Sequence, residues 1–360
     1  MNYSNLFDTI RNLYSKISCN NKYGKAILPL RYFFELTHRC NLNCPYCYVG
    51  KSPIKEELTF EEWKNVIKQI PFYSFITLVG GEPLIRSDFS DILFECTKKT
   101  FGKVNVVTNG TLMNEKIIGD FIKSRMLLLS VSLDGWKNNH DKNRNREGIF
   151  EKIENNLRIL NEKRKNKKLL VDIKTIVLKD NLEDLLKLYE YCTKMKFEFL
   201  SVSFLRNNNL KQNSMLYNNF DEIFYKPEYP IDEYFDLEKF KEVYLEIQKI
   251  KKHSKTKLRF SPKFDNPNPK IELSKIENFF KFGKNKDIVD IYKPCLYPYS
   301  NTIINPKGDI YPCLSLRMGN IKEQKLIDII NNPLYRCFRK NLKYSKLFSS
   351  CQMCCEAKVK

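Results

Sequence analysis

From residue 31 to residue 204 the chain alternates short apolar, β-branched or aromatic runs with stretches of helical period, six times over. The pattern predicts strands at 31–36, 75–79, 103–107, 127–133, 169–178 and 197–204. Helices are predicted between them at 59–70, 88–99, 114–123, 148–163 and 182–194. A parallel neighbour cannot be reached by a tight hairpin, so each unit needs a helical crossover. Right-handed crossovers repeated in order put the helices on one face and curl the sheet into a barrel. Folds of this kind carry their chemistry in the loops that leave the strands.

At 360 residues the chain has room for one large domain and a smaller one. Phe7, Ile10, Leu13, Tyr14 and Ile17 recur at helical spacing within residues 1–30, so an amphipathic helix is expected there, capping the body; a membrane-surface helix is the lesser reading. Residues 205–235 are rich in Asn, with Tyr and Pro, and are expected to form a long loop at the catalytic end. A helix over 237–251, a strand near 258–260 and a Pro/Asn-rich linker to 269 follow. The division expected is an extension at 1–30, a barrel with its linker at 31–270 and a cysteine-bearing module at 271–360.

The net charge of +20 comes mostly from Lys scattered among Asn, Tyr, Ile and Phe. It reads as compositional bias, and nucleic acid is not expected as a partner. No apolar run reaches membrane-spanning length and no signal-peptide pattern is present, so a cytoplasmic protein is expected. Twelve cysteines in such a protein point to metal or catalytic thiolates rather than disulfides.

Cys40, Cys44 and Cys47 sit in one short loop just after the first strand. Three thiolates are one short of the set that closes a [4Fe–4S] cluster, and an open position on a metal is where a substrate or cosubstrate binds. A zinc knuckle or a redox pair fits the same three residues. Gly80-Gly81-Glu82-Pro83 follows the second strand: glycine permits close backbone approach, and a carboxylate suits an ammonium group. Thr108-Asn109-Gly110 ends the third strand, Ser132-Leu-Asp134-Gly135 the fourth, and His140-Asp141 precedes Arg144. Ile176 and Asn181 stand near the end of the fifth strand, where packing or a helix cap explains them equally well. Near the C-terminus come Cys295, Cys313, Cys351, Cys354 and Cys355, with a hairpin expected at 302–304 and 309–311. Four of these cysteines make a full set for a cluster or for structural zinc.

In this order the motifs resemble the radical S-adenosylmethionine (radical SAM) superfamily, and the last module resembles its Twitch domain, a shortened relative of SPASM. The resemblance spans roughly residues 31–355. It implies an α/β fold, a partial (β/α)6 TIM-like barrel followed by a small α+β cluster-binding module. By resemblance, Cys40, Cys44 and Cys47 hold the SAM-binding [4Fe–4S] cluster, and Cys295, Cys313, Cys351 and Cys354 hold one auxiliary [4Fe–4S] cluster, with Cys355 as the alternative ligand. Tyr46, Gly80, Gly81, Glu82, Asn109, Ser132 and Arg144 are the implied SAM contacts; Arg144 as a surface salt bridge is the bland alternative. The implied activity is reductive cleavage of SAM to a 5′-deoxyadenosyl radical, which abstracts hydrogen from a peptide or small-molecule substrate, with oxidation, crosslinking or epimerisation as the outcome. An electron donor such as flavodoxin or ferredoxin is the implied partner. A cofactor-biosynthesis or carbohydrate-alcohol dehydrogenase is the alternative enzyme, and a non-catalytic iron–sulfur or zinc protein the alternative from another class.

Overall fold

The computed structural model describes residues 3–21, 23–47, 49, 56–165, 167–205, 235–264, 266–282, 288–313, 316–351, 354 and 356–360. After α1 (Tyr3–Cys19), strands and helices alternate: β1 (Arg31–Glu35), α2 (Phe60–Gln69), β2 (Phe75–Val79), α3 (Phe89–Thr100), β3 (Val104–Thr108), α4 (Glu115–Lys123) and β4 (Leu128–Ser132). Then come α5 (Asn138–Arg144), α6 (Ile149–Lys163), β5 (Leu170–Val177), α7 (Asp184–Met195), β6 (Phe199–Phe204), α8 (Leu237–Lys251) and β7 (Lys257–Ser261). The helix starts are chemically marked. Thr59 and Glu62 form a reciprocal cap on α2, and Asn114 accepts from Ile117 N at the start of α4.

Strands β1 to β7 lie in sequence order and are all parallel. One face of the sheet is apolar and lies under the helices: Ile76, Leu78, Val106, Val131, Ile173 and Val202 are fully buried. The opposite, inner face is polar. Ser130 Oγ donates to Asn105 Oδ1 (3.2 Å) and to Asp172 Oδ2 (3.3 Å), and Ser201 Oγ donates to Asp172 Oδ1 (2.7 Å).

Past β6 the structure adds to the expected six-unit pattern. β7 extends the parallel run, and β8 (Asn301–Ile304) pairs in parallel with β1 on the other side, Arg31 opposite Asn301 through Phe34 opposite Ile304. β9 (Asp309–Tyr311) and the two-residue β10 (Gly319–Asn320) continue antiparallel, giving ten strands among the described residues. The hairpin is therefore the outer part of the sheet that carries β1.

Four helices were not expected: α5, α9 (Pro269–Phe282), a single turn at Ile288–Ile291, and α11 (Pro333–Ser345), the last following the short α10 (Leu326–Ile330). Two of them open on proline at the first helical position, where the missing N–H costs nothing, and Asn332 caps α11.

The helix expected within residues 1–30 is present, with much of its apolar stripe turned outward. Ile10, Leu13 and Ile17 are 49%, 61% and 61% exposed, whereas Arg11, Ser15 and Ser18 are buried. Tyr14 does face inward, donating to the Leu28 carbonyl. Arg11 reaches toward Glu356, so the helix meets the body by its polar side. The loop expected at 205–235 lies, but for its end residues, outside the described residues.

Candidate active site

The loop that leaves β1 is pinned at both ends. Gly81 N donates to the Thr37 carbonyl (2.7 Å) and Glu82 N to the Arg39 carbonyl (2.9 Å), so the Gly80–Pro83 turn docks on the start of the cysteine loop. A Cβ on Gly80 would lie 2.3 Å from Thr37 O, and one on Gly81 2.3 Å from Arg39 O. Gly80 also has φ +144. Here the close approach that glycine permits is to the neighbouring loop's backbone. Farther along, Asn41 Nδ2 donates to Thr111 Oγ1 (2.8 Å), Asn109 Nδ2 to Asn41 Oδ1 (3.0 Å), and Arg146 Nη1 to the Asn41 carbonyl (2.9 Å).

Within that frame the thiols of Cys40, Cys44 and Cys47 come together. Burial raises the pKa of Cys40; the Leu42 N–H lowers it, while Glu82 and the other two thiols add to the rise. Burial likewise pushes Cys44 up, against Arg144, whose Nη1 lies 3.7 Å from its sulfur. Three neighbouring thiols with a cation at one of them fit a metal cluster that takes them as thiolates.

Glu82 is fully buried, and its carboxylate is occupied by the protein itself. Oε1 accepts from Thr108 Oγ1 (2.8 Å) and Leu84 N (3.1 Å), and Oε2 from Asn109 N (2.7 Å). Burial pushes its pKa up to about 7, against those three donors. The side chain is a strut between the loops after β2 and β3, not an open carboxylate facing an ammonium group. What the turn leaves to a ligand is the carbonyl oxygens of Gly80 and Gly81, since the N–H groups of Gly81 and Glu82 are spent on the cysteine loop.

Asp134, part of the motif that ends the fourth strand but given no role of its own there, holds the other side. Its Oδ2 accepts from Tyr46 Oη (2.6 Å) and pairs with Arg144 Nη2 (2.5 Å), and its Oδ1 accepts from Ile176 N (2.7 Å). Its carbonyl accepts from Asn143 Nδ2 (2.8 Å) and Asn181 Nδ2 (3.1 Å). Its N–H donates to His140 Nδ1 (2.9 Å), which puts the imidazole proton on Nε2, a buried atom with no partner among the described residues. Burial and then Arg144 depress the His140 pKa to about 4. Arg144 is a buried pair, not a surface salt bridge: burial acts to lower its pKa, but Asp134, Tyr46 and Cys44 together raise it. Its Nε is also buried without a partner, a donor left over beside the cysteine loop. Ser132 is half-buried at the end of β4, opposite Lys174, and its hydroxyl makes no hydrogen bond among the described residues. Asn181 and Ile176 thus clamp the loop after β4 to the end of β5.

The second cysteine set also converges. Burial raises the Cys351 thiol most, and then the thiols of Cys295, Cys354 and Cys313 each add to the rise. Cys295 is raised in the same way by burial, Cys354 and Cys313. The Cys354 N–H donates to the Cys351 carbonyl (3.1 Å), which folds that pair into one turn. Among the described residues no three His, Cys, Asp or Glu side chains gather tightly around a point that would suit a bare ion; these thiols are near enough to raise one another's pKa. Cys355 lies outside the described residues. No helix among the described residues is long and apolar enough to cross a membrane.

Comparison with known proteins agrees with this geometry. Residues 34–192 match the radical SAM superfamily model, and residues 295–355 match SPASM, an iron–sulfur cluster-binding domain. The sporulation killing factor maturation protein SkfB of Bacillus subtilis is 31% identical over 140 residues, 38% of this chain and 34% of that protein. The match thus spans only about a third of that relative. The AdoMet-dependent heme synthase of Methanosarcina barkeri is 28% identical over 333 residues, 91% of this chain and 88% of that one. The crystal structure of Streptococcus suis SuiB bound to S-adenosylmethionine superposes with a TM-score of 0.65 at 16% identity, over 93% of this chain and 73% of SuiB, a likeness of fold. Residues 34–192 are a radical SAM domain and residues 295–355 a SPASM-type iron–sulfur domain, the make-up of an enzyme that uses SAM and [4Fe–4S] clusters.

Proposed function

We propose that this enzyme modifies a ribosomally made peptide by oxidation, crosslinking or epimerisation. The observation that carries the reading is one polar, parallel sheet face with two cysteine sets, one after β1 and one on either side of the β8–β9 hairpin in the chain. The likeness to SkfB, a maturation protein, supports it, as does the fold shared with SuiB, which was also crystallised with its precursor peptide SuiA.

In this reading Cys40, Cys44 and Cys47 hold one cluster, and Cys295, Cys313, Cys351 and Cys354 hold a single auxiliary one. The backbone of Gly80–Glu82, with Tyr46, Asn109, Ser132 and the unpartnered Nε of Arg144, receives SAM. Bound there, cluster and SAM supply one-electron reduction and removal of a hydrogen atom from an unactivated C–H bond. The chain's own work is orientation. Asp134 fixes Tyr46 and Arg144 in one geometry, Glu82 locks two loops together, and Asn109 and Arg146 hold Asn41. Thiols kept as metal ligands suit a reducing cytoplasm, with flavodoxin or ferredoxin as the electron source.

The heme synthase likeness, which runs nearly the full length of both chains, favours a second reading, a small-molecule substrate in cofactor biosynthesis.

Anaerobic reconstitution tests the core of the proposal. About eight irons per chain are expected, two [4Fe–4S] clusters' worth, with 5′-deoxyadenosine formed under dithionite. Cys44→Ala should abolish that product in a folded protein. A fully reconstituted wild type that never makes it would sink the reading. Co-expression with a short peptide encoded beside the gene then separates the two substrates: a change in peptide mass or residue chirality supports the first, and an untouched peptide the second.

A further inference from the structure

Folding sorts the charge of this chain by end. Six connections lead from a helix into a parallel strand, at 70–74, 101–103, 124–127, 164–169, 196–198 and 252–256. Together they carry nine Lys and Arg and one acid, Glu198, which is turned onto Arg164 (3.0 Å). The connections that leave β2, β3, β4 and β5 carry three basic residues and five acidic ones. Compositional bias alone spreads charge evenly and leaves no such contrast. Strands β2 to β7 are parallel, so the six basic turns share one end of the sheet, about 16 Å of strand away from the catalytic loops.

The same end exposes large apolar side chains. Phe101 is 76% exposed, and Phe72 and Tyr73 stand out beside it. Ring centroids lie 5.6 Å apart for Phe72 and Tyr73 and 6.1 Å apart for Phe72 and Phe101, and Lys103 Nζ lies 5.4 Å from the centre of the Phe101 ring. Helix α1 brings its outward stripe to this group. Tyr14 donates to the Leu28 carbonyl, and the next two carbonyls, of Pro29 and Leu30, accept from Ser74 Oγ (2.9 Å) and Phe75 N (2.7 Å). Tyr73 is near enough to help raise the Tyr14 pKa. Ile10 and Ile17, four residues before Tyr14 and three after it, flank it on the helix surface. The exposed stripe of Ile10, Leu13 and Ile17 therefore borders the aromatic group, with Lys16 exposed beside it.

A helix dipole draws cations to the last turn, but it gives no reason for apolar side chains in water at the same end. Nucleic acid would use the cations and the rings and leave an aliphatic stripe wet. An anionic bilayer uses all three: aliphatic and aromatic side chains enter the headgroup layer, and long basic side chains reach its phosphates.

We propose that this end of the barrel docks on an anionic lipid surface, through the Ile10, Leu13 and Ile17 stripe of α1, the Phe72 and Phe101 rings and the basic helix-to-strand turns. The catalytic loops then face away from the membrane. The inference goes beyond the proposed reaction and holds for either substrate.

The test is co-flotation of the anaerobically reconstituted full chain with vesicles, phosphatidylglycerol and phosphatidylcholine in equal parts against phosphatidylcholine alone. Wild type is expected to partition at least about tenfold more strongly onto the anionic vesicles, a preference that fades as salt is raised. Leu13→Gln with Ile17→Gln should lower that partition about tenfold. Arg125→Gln with Lys167→Gln and Lys168→Gln should lower it by about tenfold or more and flatten its salt dependence. Lys179→Gln, at the catalytic end, should bind as wild type does. All these side chains are exposed, and melting curves that match wild type separate lost binding from lost folding. Phe72→Ser, in a turn rather than a helix, repeats the apolar arm independently. Equal partition onto the two kinds of vesicle, no partition onto either, or anionic binding that survives both sets of substitutions overturns the proposal. So does a labelled single-stranded oligonucleotide that binds through Arg125, Lys167 and Lys168 while vesicles do not, which assigns the face to nucleic acid. A lipid-free dimer that Leu13→Gln with Ile17→Gln dissociates, again without vesicle binding, assigns the stripe to a second copy and overturns it too.

Discussion

The Tyr46 hydroxyl and the Asp134 carboxylate, 88 residues apart in the chain, meet at 2.6 Å, and Arg144 closes on the same carboxylate oxygen at 2.5 Å. The side chain of Asp134 is only 1% exposed, so its charge is compensated by these partners and the Ile176 N–H rather than by water. Removing one partner of a buried pair leaves the other charge stranded, at a cost of about 3–5 kcal/mol. Asp134→Ala is expected to lose stability on that scale and to lose SAM cleavage with it. Asp134→Asn, which keeps the shape, should lose less stability. Thermal denaturation and 5′-deoxyadenosine assays check both; equal melting temperatures for Ala, Asn and wild type would refute the account.

The two loops that meet at Gly81 allow a sharper contrast. Gly81→Ala places a methyl 2.3 Å from Arg39 O and 2.7 Å from His38 O, so the cysteine loop must shift. We expect a folded protein whose iron content after reconstitution falls and whose SAM cleavage drops at least tenfold. Gly119, inside α4, has nothing within 4 Å of its virtual Cβ. Gly119→Ala should raise stability by about 0.5–1 kcal/mol with activity unchanged. Iron analysis and melting curves on the two variants read the difference.

His140 sets a pH dependence. Its folded pKa of about 4 lies below the ordinary 6.5, because burial and Arg144 disfavour the imidazolium. Below 6.5 the unfolded chain takes up a proton that the folded chain refuses, so stability is fully present above pH 6.5 and is lost as pH falls toward 4. The expected contribution is on the order of 3 kcal/mol. His140→Gln keeps an acceptor for the Asp134 N–H and should flatten that part of the stability curve. Parallel slopes for variant and wild type between pH 4 and 6.5 would contradict the assignment.

The outward stripe of α1 makes a prediction about packing. Leu13→Gln and Ile17→Gln should change stability by no more than about 0.5 kcal/mol, as exposed substitutions do. Were the stripe packed on the body, shortening Leu13 would cost about 2–5 kcal/mol. Denaturant titration separates the two.

Much of this was legible in the sequence. The strand at 75–79 and the helix at 237–251 were read with their observed limits, and Thr59 and Asn114 were read at helix starts. These features are local, fixed by residue alternation and by one side chain reaching its own helix. Periodicity in α1 grouped Ile10, Leu13 and Ile17 correctly on one face, but it carries no sign. Which face turns inward depended on what Arg11 and Tyr14 could reach at Glu356 and Leu28. The role of Asp134 was hidden for a similar reason. Its partners come from the cysteine loop, α5 and the end of β5, and only folding brings them together. The glycines at 80 and 81 were visible as points of close approach; that the approached backbone belongs to residues 37–39 was not.

The pairing of β8 with β1 has a consequence for electron movement. The strand that feeds the Cys40 loop and the first strand of the hairpin that ends near Cys313 share one hydrogen-bonded ladder, from Arg31 opposite Asn301 to Phe34 opposite Ile304. A ladder of that kind is stiff, with no hinge to lengthen or shorten the gap it spans. Two redox centres carried by the loops at its ends would have a fixed length of sheet between them, so that only movement of those loops could alter the tunnelling distance.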